Sequence, residues 1–387
     1  MVAYTNYLTD ARVRREAETL ASLPDYKVLI FVLKEESSRR TYSIDGVEVR
    51  ELNVDKYRGK SNGRYLMSYF IFLLLAFFSC NELLRKKHLD IVHIHNMPNF
   101  LVFSAIIPYL FGKKIILDIH DTVIETYATK FEGVSSKIFN KLFYLEEIIC
   151  CAIAHKIICV NHIQREVLVK RGIPESKIVI LMNVPDPKRF DYKKKIKNHL
   201  NTEESFKLVY FGTISKRLGI DLAICAVSKL ANKIPGLEFH IIGNGDDIQE
   251  FMDLAKELGV DKSVGFYRKV FPFEELIKML NEMDICIVPN RRNSATELML
   301  PVKMLESVAL GIPVIVPRLK AIEYYFSDDM VAYFEPDNID SMADAILDAY
   351  NSEPKRIRKA EQARLFLQRY GWDTHKQDLF NLYKSLL

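Results

Sequence analysis

Residues 207–230 read KLVYFGTISKRLGIDLAICAVSKL. A short run of β-branched and aromatic residues ends at Gly212. A polar loop carrying Lys216 and Arg217 follows, and from Gly219 onward the apolar residues recur at helical spacing. Strand, glycine, loop and helix make half of a βαβ unit, and parallel strands need such helical crossovers.

The alternation continues outward in both directions. Toward the C-terminus, strands are expected at Leu237–Gly243, Val264–Tyr267, Ile285–Pro289, Pro313–Val316 and Val331–Phe334. Helices are expected near Gly219–Asn232, Asp247–Leu258, Glu274–Asn281, Lys303–Leu310 and Ser341–Tyr350. Upstream, Asp186–Phe206 is polar and charged, and reads as a linker. Before it, strands are expected at Lys27–Leu33, Val47–Leu52, Ile91–Asn96, Lys114–His120, Lys156–Asn161 and Ile178–Asn183. The helices among them are expected at Arg12–Ala21, Tyr65–Lys87, Phe100–Phe111, Ser135–Ala152 and His162–Arg171. Two such series imply an α/β protein of two Rossmann-like, doubly wound parallel-sheet domains facing a cleft. The expected division is 1–190, 191–370, and a terminal helix over 371–387 that packs back on the first domain.

Composition supports this. A chain of 387 residues exceeds one ordinary core, and 49% hydrophobic with 27% charged residues suits a globular protein. Lysine and arginine number 54 against 50 acidic residues, a net charge of +4 and too small an excess for nucleic acid as the main partner. The six cysteines sit in apolar runs with no C-x-x-C pair, the pattern of buried thiols in a reducing compartment. No secretory leader is visible, so a cytoplasmic setting is expected. Tyr65–Cys80 is 16 residues without a charge, short of the roughly 20 a span requires, so a buried helix is expected. Cations flank it: Arg58, Lys60 and Arg64 before, Arg85, Lys86 and Lys87 after. The alternative is therefore peripheral contact with an anionic membrane surface.

Chemistry belongs at the strand ends. Gly212 lets a ligand approach the backbone, the helix behind it offers N–H groups, and Lys216 and Arg217 add charge, a pattern suited to a diphosphate. Gly243-Asn244-Gly245 is a G-x-G between strand and helix. Ile248 stands where a dinucleotide fingerprint needs its third glycine, which disfavours an NAD enzyme. Pro289 ends a strand, and a helix starts near Pro301. Lys303 and Glu306, three apart, share one face of that helix, so the lysine can face phosphate and the carboxylate ribose hydroxyls. His93 and His95 alternate along one strand as core histidines. A metal reading through H-x-H with His120 or Asp118 is disfavoured. His120 ends the next strand, followed by Asp121, and suits a role in the cleft. No D-x-D occurs, so no metal or cofactor is expected, and lysine, arginine and helix N-termini would neutralise a diphosphate.

The ordered pieces D-I-V-H-I-H, I-L-D-I-H-D, I-I-C-V-N, M-N-V-P-D, Y-F-G-T, H-I-I-G-N-G and L-P-V-K-M-L-E-S-V-A-L-G-I-P-V-I resemble family 4 glycosyltransferases of the GT-B architecture, from about Tyr4 to the end. The likeness is to bacterial members that build surface polysaccharides or lipid-linked glycans. It implies a retaining, metal-independent transfer from a UDP- or GDP-sugar to a glycan or polyprenyl-diphosphate-linked acceptor. His120 would lie beside the sugar. Gly212, Thr213, Asn183, Gly243, Asn244, Gly245, Arg268, Pro301 and Glu306 would line the donor. Lys216, Arg217 and Lys303 would stabilise the leaving diphosphate.

Three departures stand out. Leu298 occupies the position seven residues and one step before Glu306 where the family has a first glutamate, and Glu297 lies one residue early. Thr213 replaces the usual arginine. The first strand is short and lacks paired glycines; instead Arg12 and Arg15 share a helix face and are expected, with Asp121, to meet the acceptor. A GT-B epimerase or phosphorylase and a catalytically dead scaffold are the rival readings.

Overall fold

A computed structural model describes residues 1–35, 40–57, 62–128, 135–190, 205–269 and 271–387. Most of the expected linker, and Arg58 and Lys60, fall outside the described residues. The chain divides into two units, Met1–Asn183 with Asp373–Leu387, and Val184–Trp372.

The first unit holds strands β1 (Val2–Ala3), β2 (Val28–Leu33), β3 (Thr41–Ile44), β4 (Val47–Leu52), β5 (Ile91–His95), β6 (Lys114–Ile119), β7 (Lys156–Cys159) and β8 (Ile178–Ile180). Their order is β3-β4-β2-β1-β5-β6-β7-β8. All neighbours are parallel except the β3–β4 hairpin, which turns at Asp45-Gly46 with φ of 48° and 81°, a left-handed pair that Asp-Gly adopts readily. That dipeptide was the available signal for β3. β1 is only two residues long, too short for any periodicity, yet it is central: Val2 aligns with Phe31 on one side and with Ile94 on the other.

The steps β4 to β5, β5 to β6 and β6 to β7 run the same way along the sheet. Right-handed crossovers therefore place Asn62–Arg85, Asn99–Leu110 and Ser135–Ile153 on one face. The helix Ala11–Ala21 between β1 and β2 steps the other way, and its Val13 and Ala17 pack on the opposite face with Ile30, Val32, Val47 and Val49. The terminal helix Trp372–Lys384 joins this unit, with the Tyr383 hydroxyl 2.8 Å from His93 Nδ1.

The apolar run near residue 70 departs from expectation. It is not a core helix: of its most apolar 18-residue window only 22% is buried. Tyr69, Phe72, Ala76, Cys80 and Leu83 return every three or four residues and form one buried stripe, while Leu66, Phe70, Leu74 and Phe78 lie exposed.

The second unit holds β9 (Phe206–Phe211), β10 (Leu237–Ile242), β11 (Val264–Tyr267), β12 (Ile285–Ile287), β13 (Val314–Pro317) and β14 (Ala332–Phe334). All are parallel, in the order β11-β10-β9-β12-β13-β14. Phe239, Phe251, Val227 and Ile346 are fully buried against this sheet, each contributing about 1.5–3 kcal/mol. The strand order reverses between β9 and β12, and in the first unit between β1 and β5. Open parallel sheets bind ligands at such switch points.

Candidate functional site

At the carboxyl end of β9 the chain leaves the sheet through Gly212, with φ of 117°. Its amide donates to the Ile242 carbonyl (2.9 Å), and the Ile214 amide donates to the Asn244 carbonyl (2.9 Å). The next loop closes on it from the other side. A Cβ on Gly243 would lie 1.9 Å from the Gly212 carbonyl oxygen, and one on Gly245 would lie 1.7 Å from that of Ile214. Both glycines are therefore required by backbone packing between neighbouring loops. Gly243 also donates to the Tyr267 carbonyl, which fixes the turn where Arg268 stands exposed. Gly219 (φ 72°) meets the fourth strand end, since a Cβ there would sit 1.9 Å from the Pro289 carbonyl oxygen. Four strand ends are thus locked together without a side chain.

Lys303 enters this platform from the helix Val302–Leu310, for which Pro301 is the N-cap. Its Nζ donates to the Tyr210 hydroxyl (2.6 Å) and sits 3.9 Å from the centroid of that ring. A Cβ on Gly212 would touch its terminal atoms at 3.4 Å. Tyr210 in turn donates to the Thr213 carbonyl. The ammonium is thereby held against the Gly212 loop by its hydrogen bond to Tyr210 and its contact with that ring. Burial lowers its pKa to about 8; Glu306 on the same helix face opposes that shift, while Arg217 adds to it. Arg217 and Thr213 are exposed in the same loop.

Other expected residues are engaged elsewhere. Lys216 pairs with Glu250 at 2.5 Å, both side chains more than half exposed. Glu297 lies 3.1 Å from Arg292 Nε and accepts from the Lys320 amide at 2.8 Å, so both its oxygens serve the loop. Leu298 ends the 3₁₀ turn Thr296–Leu298. The loop between β12 and Pro301 is stitched internally: Asn293 Oδ1 accepts from the Ala295 and Thr296 amides, and the Thr296 hydroxyl donates to the Arg291 carbonyl. Asn183 belongs to the first unit, where it accepts from Arg15.

The switch point of the first unit is built on different lines. His95 and Asp118 align across β5 and β6. His120, just past β6, has Nε2 2.9 Å from Asp118 Oδ2 and 3.1 Å from His95 Nδ1. Its amide donates to Asn96 Oδ1, and the Asn96 side chain donates to the Asp121 carbonyl, so Asn96 fixes the turn that carries His120 and the exposed Asp121. Arg12 and Arg15 correct the sequence reading. Both are buried, at 4% and 7% exposure. Arg12 grips Asp118 through two nitrogens (2.7 and 3.2 Å) and donates to the Leu181 carbonyl. A guanidinium held in this way is not offered to an acceptor.

Glu16, one turn beyond Arg12, completes the cluster and is invisible to motif reading. Its Oε1 lies 3.1 Å from Arg12 Nε and its Oε2 3.8 Å from His93 Nε2. Among the described residues, neither Glu16 oxygen nor Nε2 of His93 or His95 has a well-directed hydrogen bond. Glu16, His93, His95 and Asp118 each bring a ligand atom within 4.8 Å of the others, a donor set a metal accepts. The Arg12 guanidinium already lies against both carboxylates and supplies positive charge there.

The charges then sort themselves. Burial opposes ionisation of Asp118, but Arg12 and His120 outweigh it and hold this carboxyl well below its usual range. Burial and the neighbouring Asp118 raise Glu16 to about 8, so Glu16 keeps its proton near neutrality. Burial works against a charged His120, yet Asp118 overcomes it and raises the imidazole above its ordinary value. His120 is the member that reaches solvent, at 22% side-chain exposure. The arrangement presents one protonatable imidazole whose orientation is set from behind by an ionised carboxylate.

Comparison with known proteins follows the two units. The family model described as Glycosyltransferase Family 4 matches residues 12–189, and that of Glycosyl transferases group 1 matches residues 191–366. The chain is 25% identical over 191 residues to a D-inositol 3-phosphate glycosyltransferase of Corynebacterium urealyticum, covering 47% of this chain and 44% of that protein. It is 23% identical over 192 residues to the amylovoran biosynthesis glycosyltransferase AmsK of Erwinia amylovora, covering 49% and 45%. It thus spans less than half the length of these curated relatives. The crystal structure of HepE from Anabaena in complex with UDP superimposes with a TM-score of 0.71 at 13% identity, covering 99% of this chain and 98% of that one.

Proposed function

We propose that this chain, which belongs to the family 4 glycosyltransferases of the GT-B fold, moves a sugar from a nucleoside diphosphate donor to a glycan or lipid-linked acceptor, with retention of anomeric configuration. The carrying observation is the Lys303 ammonium fixed against the Gly212 loop, beside Arg217 and at the β9–β12 switch point. Such a place favours a diphosphate: the backbone can be approached, and the cation needs no reorganisation to meet growing negative charge. UDP in the HepE structure supports the donor class. The role named for AmsK supports a polysaccharide product.

In the proposed reaction, the bond between the anomeric carbon and the diphosphate oxygen breaks as the acceptor oxygen bonds that carbon from the same face. The acceptor proton passes to the departing diphosphate. Lys303 and Arg217 stabilise the charge left on it. Glu306, three residues from Lys303 on the same helix face, takes the ribose hydroxyls. His120 contacts the transferred sugar, its ring held by Asp118. Glu297 is left out of the sugar contacts because its oxygens are occupied. The setting proposed is the cytoplasmic side of a membrane.

The test is incubation of the protein with UDP-, GDP- and ADP-sugars in EDTA, reading released nucleoside diphosphate and thermal protection. One donor should both stabilise and turn over. Lys303→Ala should lower turnover on the order of 100-fold or more while shifting the melting temperature little. Equal loss of both, or turnover only with divalent metal, overturns the mechanism. Stabilisation by a donor without any turnover would favour the scaffold reading.

A further inference from the structure

The helix Asn62–Arg85 carries two apolar stripes where a surface helix needs one. The inner stripe, from Tyr69 to Leu83, packs into the first unit's core. The outer one comprises Leu66, Met67, Phe70, Ile71, Leu74 and Phe78, exposed by 41–65%. It spans about 18 Å of helix at 1.5 Å per residue. Its neighbours on the same face of the sheet extend it. The segment Asn99–Leu110 packs against this helix and against Ser135–Ile153. Leu110 and Phe111 at its end are 73% and 71% exposed, and Leu142, Leu145 and Ile149, spaced for one helix face, are also exposed. Contiguous exposed apolar surface on this scale marks an interaction site.

The charges around it choose the occupant. Arg64 opens the outer stripe. Arg85, seven residues beyond Phe78, returns to the same side of the helix, with Lys86 and Lys87 beside it, all exposed. Lys141 is exposed at the edge of the second helix. The acidic groups near this layer have partners: Glu82 with Lys86, Asp90 with Lys113, Glu146 with Asn99, and buried Glu147 with Arg171. Apolar side chains ringed by cations complement an anionic lipid surface. By length and composition alone Gly63–Arg85 could cross a bilayer; the inner stripe, which is committed to protein, rules against it.

We propose that this face docks flat on an anionic bilayer, with the outer stripe at the level of the headgroup and acyl boundary and the basic residues on the lipid phosphates. The inference stands apart from sugar transfer, because lipid attachment reads no turnover.

The experiment is flotation of the full chain with vesicles of phosphatidylcholine alone and of phosphatidylcholine mixed with phosphatidylglycerol. The wild type should float with the anionic vesicles, and added salt should weaken this. Phe70→Ser with Phe78→Ser should lower vesicle affinity about tenfold or more. Arg85→Glu with Lys86→Glu and Lys87→Glu should lower it more than 100-fold, at about fivefold for each cation near the surface. All five side chains are exposed, so melting temperature should hold; if the serine pair misfolds, the charge reversal decides alone. Absence of flotation with either vesicle, equal flotation by wild type and both variants, or a dimer in size-exclusion chromatography that the serine pair dissolves without any lipid binding would overturn the proposal.

Discussion

The two switch points solve the same problem, presenting charge at the end of a parallel sheet, in opposite ways. In the second unit the backbone does the work: Gly212, Gly219, Gly243 and Gly245 bring strand ends into contact, and Lys303 is laid on the result. In the first unit side chains do it: Arg12, Glu16, His93, His95, Asp118 and His120 hold one another inside the protein, with Tyr383 behind. A platform made of backbone tolerates exchange of its charged visitors but not of its glycines. A platform made of charges tolerates neither partner's loss.

The largest effect should come from breaking the second kind. Asp118→Ala strands the Arg12 guanidinium without its carboxylate, and breaking such a buried pair costs about 3–5 kcal/mol. Urea denaturation should show that loss. A loss below about 1 kcal/mol would mean that Glu16 ionises and takes over. The glycine platform comes next. Gly245→Ala puts a Cβ 1.7 Å from the Ile214 carbonyl oxygen, and separating the loops should destabilise by about 1–3 kcal/mol, the usual range for overpacking. It should also weaken donor protection, whereas Asp118→Ala should leave donor protection intact at temperatures where the protein is folded.

A third test sharpens the comparison through pH. Glu16 faces Arg12, Arg15, His93, Asp118, His120 and Tyr383, and its folded pKa of about 8 lies above its unfolded value near 4.5. Its proton therefore adds stability that is fully present below about pH 4.5 and lost as pH rises through about 8. Melting temperature should fall across that window, and Glu16→Gln, which keeps the neutral form, should flatten the fall. An unchanged slope in the variant would place the proton elsewhere in the cluster.

The same contrast explains what could be read from sequence. The alternation of β-branched and helical runs fixed most strands of both units, and Gly212 and the G-x-G at 243–245 pointed to close approach to the backbone, whereas Gly219 marked only the start of a helix. They did not reveal what approaches, and for Gly243 and Gly245 it is the neighbouring loop. Arg12 and Arg15 looked like surface cations because their partners, Asp118, Leu181 and Asn183, lie more than 100 residues away. Glu16 completes a cluster that no spacing rule describes. The helix at 62–85 was misjudged as buried because a doubly apolar helix and a core helix have the same composition; only the exposure of Phe70 and Phe78 separates them.

One consequence concerns synthesis. The first unit takes its last helix from Asp373–Leu387, and Tyr383 closes over His93 across 290 positions of chain. A ribosome releases Asn183 long before it reads Asp373. At roughly 5–20 residues per second, the first-made half waits on the order of ten to forty seconds, with His93 still lacking its phenol. The nascent chain is thus obliged to finish the second unit before the first can be sealed.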